Sequence, residues 1–190
     1  MSHHPLPFRN ALSLTAAVAG LAFSLSASAG LDCFMKIDGI DGDSQDSRHP
    51  HEIVVKSFSW AENSAGSGMQ SVGMGSGRVN MQDFHFTMAS GLASPGLMAR
   101  VAQGTHLKGA VLTCRRAGGK QSDFSRWTFS DVMVTSFQTG WPVASDELPL
   151  DTVTLNFIRI EYNFIPLHAD GTSGAPVAMC WDLKTNSVCR

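Results

Sequence analysis

Four cysteines, Cys33, Cys114, Cys180 and Cys189, are the residues whose chemistry this chain constrains most directly. An even number of thiols suits disulfide pairing in an oxidising compartment, and four admit three connectivities among which spacing does not choose. No Cys-x-x-Cys occurs, so a zinc ribbon or a thioredoxin-like pair is not indicated. Left reduced, each cysteine is a small buried hydrophobe. Asp41, Asp43, Gln45 and Glu52 fall at the spacing of positions one, three, five and twelve of a calcium loop. Asp46, however, stands where the sharp turn of that loop needs glycine, and the flanks read as strands, so a solvated acidic turn is expected. Gly42-Asp43-Ser44 resembles the serine block of one esterase group, but no Asp-x-x-His follows near the C-terminus to supply the base and its orienting carboxylate. His49, His51, His85, His106 and His168 lie on different expected elements without ligand spacing. There is no G-x-S-x-G, P-loop or H-E-x-x-H. The residues therefore point to no catalytic, cofactor-binding or metal-ligating set, and to a protein that is not an enzyme.

The elements that position these residues read mostly as strands. Apolar side chains alternate through Phe34 to Asp38 and Ile53 to Trp60, and similar runs recur at Arg78 to Met88, Lys108 to Arg115, Phe124 to Gln138 and Thr152 to Phe164. Each is rich in Val, Ile, Thr or aromatic residues and bounded by Gly, Ser, Asp or Pro. One helix interrupts them: Ser94 is placed to cap it with Pro95 at its first position, Leu97, Met98 and Val101 share a face, and Gly104 ends it. The fold class expected is mainly β, an antiparallel sandwich or barrel with one short α-helix. Ser64 to Gly77 is glycine-rich and uncharged, which suits a long exposed loop, and Asp38 to Pro50 and Thr139 to Leu150 read as two further loops.

The chain has 190 residues and a formal charge of −2, without the basic surplus that nucleic acid or anionic lipid would require. Residues 1–29 read as an export leader: Arg9 gives a basic start, Ala11 to Leu25 is apolar, and Ala27-Ser28-Ala29 is the small-x-small pattern of a signal peptidase site. The apolar run, about 15 residues, is shorter than the roughly 20 needed to span a bilayer. Cleavage after Ala29 leaves residues 30–190, enough for one domain. The expected localisation is secreted or periplasmic.

Read in order, the mature chain resembles the haemolysin-coregulated protein family, Hcp, the tube protein of the bacterial type VI secretion system. The resemblance is carried by Asp32 to Ser44, His51 to Trp60, Gly77-Arg-Val-Asn-Met-Gln-Asp-Phe-His-Phe-Thr87, Gly104-Thr-His106 and Ala110 to Gly119. Val153 to Phe157, Tyr162, Ala169-Asp-Gly171 and Trp181 extend it to the C-terminal region. It implies a barrel of two antiparallel sheets with one short helix, ring-forming, assembling as a homo-hexamer whose rings stack. It also implies partnership with other secretion-system proteins and effector cargo, export of the protein itself, and no catalytic residue. By the same resemblance the loop from Ser64 to Gly77 reaches the adjacent ring. Rings of this family are built in the cytoplasm, and its members normally lack a leader. The leader therefore supports a second reading, an exported Hcp-like interaction module or effector that works alone in the periplasm or outside the cell.

Overall fold

The computed structural model describes residues 30–64, 79–116, 122–141, 148–168 and 172–189. The expected leader lies outside the described residues, as do residues 65–77 of the glycine-rich stretch, Arg78 at the start of the run expected to Met88, and 142–147 of the loop expected before Leu150. Along the chain run β1 (Leu31–Ile37), β2 (Ile53–Ser59), β3 (Glu62–Ser64), β4 (Val79–Met81), β5 (Phe84–Ala89) and α1 (Ala93–Gln103). They are followed by β6 (His106–Arg116), β7 (Asp123–Gly140), β8 (Leu150–Asn156), β9 (Arg159–Phe164), β10 (Val177–Asp182) and β11 (Ser187–Val188).

Nine strands form one antiparallel sheet in the order β11-β10-β9-β7-β6-β1-β2-β5-β8, and pairing of β8 back onto β7 closes six of them into a barrel. The fold is the mainly-β barrel with one short helix that the patterning implies; hydrogen bonding runs without a break around its wall. Closure leaves no barrel edge open to foreign strands. Strands β3 and β4 form a separate ribbon.

Alternation fills the interior. Phe84, Phe86 and Met88 of β5 point inward between outward His85 and Thr87, and they meet Met35 and Ile37, Phe129 and Val134, and Val153 and Leu155 from the other walls. Each such side chain contributes about 1.5–3 kcal/mol by leaving water.

Strand β7 is the spine, because its first half pairs with β9 (Ser125↔Phe164 to Ser130↔Arg159) and its second with β8 (Met133↔Asn156 to Gly140↔Leu150). Strands β8 and β9 thus lie end to end along one flank of β7, with buried Phe157 between them. The run expected from Thr152 to Phe164 is therefore two strands, one completing the barrel and one leaving it. At the switch sits Asp131, whose φ of 55° is uncommon for a residue with a side chain. Its Oδ1 lies 2.8 Å from His106 Nδ1 and its Oδ2 accepts from Lys184 Nζ at 3.3 Å; the bonds from His106, chiefly, and Lys184 hold the carboxyl below its ordinary range.

The helix departs from expectation at its start. Ser94 is not its cap: the N-cap position is Leu92, with no capping side-chain bond of its own, and Leu92 N donates instead to Asp43 Oδ2 at 3.0 Å. Ser94 Oγ, one residue inside, donates to Asp151 at 2.5 Å. Leu97 is buried, Met98 is exposed, and Gly104 ends the helix in the left-handed conformation (φ 59°) as expected.

Candidate functional site

The cysteines fall into two pairs, one between central strands of the sheet and one at its β11 end. Cys33 and Cys114 are cross-strand partners in the β1–β6 ladder, with Cα atoms 4.1 Å apart, and the structure joins them. Both point inward, Cys114 buried in the core and Cys33 packed against it. Cys180 on β10 is joined to Cys189, just past β11, across a separation of nine residues. Of the three connectivities the spacing left open, the fold selects this one, because β1 and β6 are adjacent whereas β10 lies three strands beyond β6.

Outward from the first pair lies a polar cap. Phe34 is on the outer face of β1 by alternation, yet it is buried, because the segment between β1 and β2 folds back over it. His49 stacks on its ring with centroids 4.5 Å apart, and the Arg115 guanidinium sits 4.9 Å from the same centroid. Arg115 engages both oxygens of Asp46, Nη1 donating to Oδ1 at 2.9 Å and Nη2 to Oδ2. That side-chain bond, with backbone N–H donation from Arg48 next, pulls the Asp46 carboxyl down to about 2, and the Arg115 guanidinium is correspondingly raised. His49 Nδ1 lies 3.0 Å from Glu52 Oε2, while its Nε2 is 3.7 Å from Asp123 Oδ1, too far for a direct hydrogen bond.

The calcium-like spacing does not converge. Asp43 serves the helix start, Glu52 faces His49, and Asp46 belongs to Arg115. Ser44 Oγ accepts from Asp46 N at 3.2 Å. Among the other histidines, His85 Nδ1 lies 2.9 Å from Thr154 Oγ1 and His106 faces Asp131. These contacts hold segments in place, the His85–Thr154 pair tying β5 to β8 where the two residues lie directly opposite each other. A buried carboxylate that the sequence reading passed over is Asp151, which accepts from Ser90 Oγ at 2.6 Å as well as from Ser94. Its signal was present, since it occupies the inward phase set by Val153 and Leu155.

The third feature is a surface. Strands β9, β10 and β11 leave the barrel as a wing, and directly opposed residues share a face. Trp181 lies opposite Ile160 and Val188, Met179 opposite Tyr162, and Val177 opposite Phe164. The resulting apolar stripe starts at fully buried Ile160 and ends at Phe164, 38% exposed, and Val177, 65% exposed. Strand β11, with Val188 also exposed, is the open edge of the sheet.

A closed barrel with one helix, a capping segment after its first strand and an apolar wing can be set beside known proteins. The family model described as "Type VI secretion system effector, Hcp" matches residues 34–164, from β1 through β9. The chain belongs to the Hcp family. It is similar to protein hcp1 of Pseudomonas aeruginosa PAO1, 37% identical over 158 residues that cover 82% of this chain and 97% of that protein. The crystal structure of Hcp1 from Salmonella typhimurium shares 28% identity and a TM-score of 0.67, covering 84% of this chain and 99% of the other. A structure described as a type six secretion system protein has a TM-score of 0.80 at 23% identity, with 84% and 100% covered; its likeness is one of fold. Hcp proteins are type VI secretion proteins and are not a known enzyme family. The Cys180–Cys189 pair lies beyond the residues that the Hcp model matches.

Proposed function

We propose that this chain is a non-enzymatic subunit of a type VI secretion tube, which forms homo-hexameric rings that stack, carries effector cargo and is itself secreted. The family match that spans the whole barrel carries the reading. Support also comes from the wing, whose apolar stripe and open β11 edge suit burial against another copy in a closed ring. A second reading is favoured by residues 1–29, which read as a leader cleaved after Ala29, and by the paired cysteines, which suit an oxidising home. In it the mature domain, residues 30–190, acts as an exported module in the periplasm or outside the cell and joins no tube.

One experiment separates the two: fractionation of the native host with and without a functional type VI apparatus, followed by N-terminal sequencing. A tube subunit reaches the medium only when the apparatus is intact. A stand-alone module reaches periplasm or medium in both strains and begins at Gly30.

A further inference from the structure

The two disulfides differ in what surrounds their sulfurs. Cys33–Cys114 lies against the core between two central strands. Cys180–Cys189 is half-exposed at the edge of the sheet, and Arg159 Nε donates to Cys180 Sγ at 3.2 Å. The register explains this contact: Arg159 pairs with Asp182 and so lies diagonal to Cys180, while Glu161, directly opposite Cys180, accepts from Asn163 Nδ2 at 2.8 Å. Cys189 borders an open cleft of about 450 Å³ lined also by Arg159, Asp182, Thr185, Ser187 and Val188.

The hairpin that carries this bond has other supports. Trp181 pairs with Val188 and Asp182 with Ser187, Cys189 N donates to Cys180 O at 3.2 Å, and Asp182 Oδ1 accepts from Lys184 N and Thr185 N at 2.8 and 3.1 Å. Opening the disulfide therefore leaves the turn and its ladder in place.

We propose that Cys180–Cys189 is a thiol–disulfide exchange site for a small soluble thiol, with Cys189 the sulfur attacked and Cys180 the leaving group. The thiolate enters the cleft and bonds to Cys189 Sγ. The Cys180–Cys189 bond breaks, and its electron pair stays on Cys180 as a thiolate beside the Arg159 guanidinium. A cation there lowers the basicity of the leaving sulfur and so speeds its departure. A second thiolate then attacks the added sulfur and releases Cys189, which takes a proton from water. Two small thiols become one small disulfide, and the two electrons they give up reduce the protein bond to two thiols. The exchange leaves the β10–β11 hairpin paired while the barrel keeps its own clamp.

The test uses protein purified without reductant, exposed to glutathione for graded times, quenched by alkylation and mapped by mass spectrometry. Cys180 and Cys189 are expected to become alkylated at about ten times the rate of Cys33 and Cys114 or faster. A transient glutathione adduct is expected on Cys189, with near-ultraviolet circular dichroism unchanged. Arg159→Gln is expected to slow this first phase about three- to tenfold, and Arg159→Lys to restore most of the rate. Simultaneous opening of both disulfides, an adduct on Cys180, or an Arg159→Gln protein of native dichroism and unchanged rate overturns the proposal. If Arg159→Gln does not fold, the order of opening and the adduct position in the unaltered chain decide the matter alone.

Discussion

Asp46 and Arg115 meet across 69 residues of sequence, and their pairing has a pH signature. The Asp46 carboxyl falls from an ordinary 3.8 to about 2 in the folded chain, mainly because Arg115 bonds to its ionised form. A depressed carboxylate stabilises the fold above the unfolded value and loses that contribution as the pH falls through the folded one. Asp46→Asn is therefore expected to lower the melting temperature by a constant amount above about pH 5, with the difference shrinking between about pH 4 and 2. Thermal unfolding of both proteins across that range measures it. Asp151→Ala removes a buried acceptor and leaves two serine hydroxyls without it, so a loss of about 3 kcal/mol in urea unfolding is expected. The sequence displayed the acidic run from Asp41 to Glu52 but not its destinations, because partners such as Leu92 and Arg115 reach it only through the tertiary fold. Ser94 illustrates the same limit: local spacing makes it a cap, whereas the helix starts two residues earlier at Leu92, and Ser94 Oγ accepts from Gly91 N while donating to a buried carboxylate of a distant strand.

At the scale of elements, strands β1, β2, β5, β6, β7 and β8 were legible because one of their faces is buried, and burial of one face imposes a period of two. The short strands β3 and β11 were not, and β10 was missed because its Val177, Ala178 and Met179 are all exposed and carry no alternation. The break at Phe157-Ile158 was invisible for a different reason: both halves of the run face β7, so the hydrophobic pattern continues while the partner strands change. Gly42 marks a close approach in the cap, since a Cβ there would lie 2.4 Å from the carbonyl oxygen of Glu52. The clamps differ in leverage. Cys33–Cys114 spans 81 residues and Cys180–Cys189 nine. Loop-closure entropy assigns them about 4.5 and about 2.6 kcal/mol. The double variant Cys33→Ser/Cys114→Ser is accordingly expected to lose more stability in denaturant titration than Cys180→Ser/Cys189→Ser. Equal losses would contradict the assignment of the first pair as the structural clamp.

For the whole molecule, membership of the Hcp family was legible in the ordered series of short segments from Asp32 to Trp181, and the match over residues 34–164 agrees with it. What a single chain displays less openly is assembly, because a subunit surface differs from an ordinary one only in its exposed apolar area. The wing stripe ending at Phe164, Val177 and Val188 is the exposed apolar surface proposed for that role. Val177→Asp and Val188→Asp alter side chains 65% and 64% exposed, so each variant is expected to fold with an unchanged melting temperature yet to assemble less well in light scattering. The proposal of a ring-forming secretion protein is tested most directly by subunit number. Native mass spectrometry of the purified protein across a range of concentrations is expected to give a species of six protomers; a monomer at every concentration would contradict it.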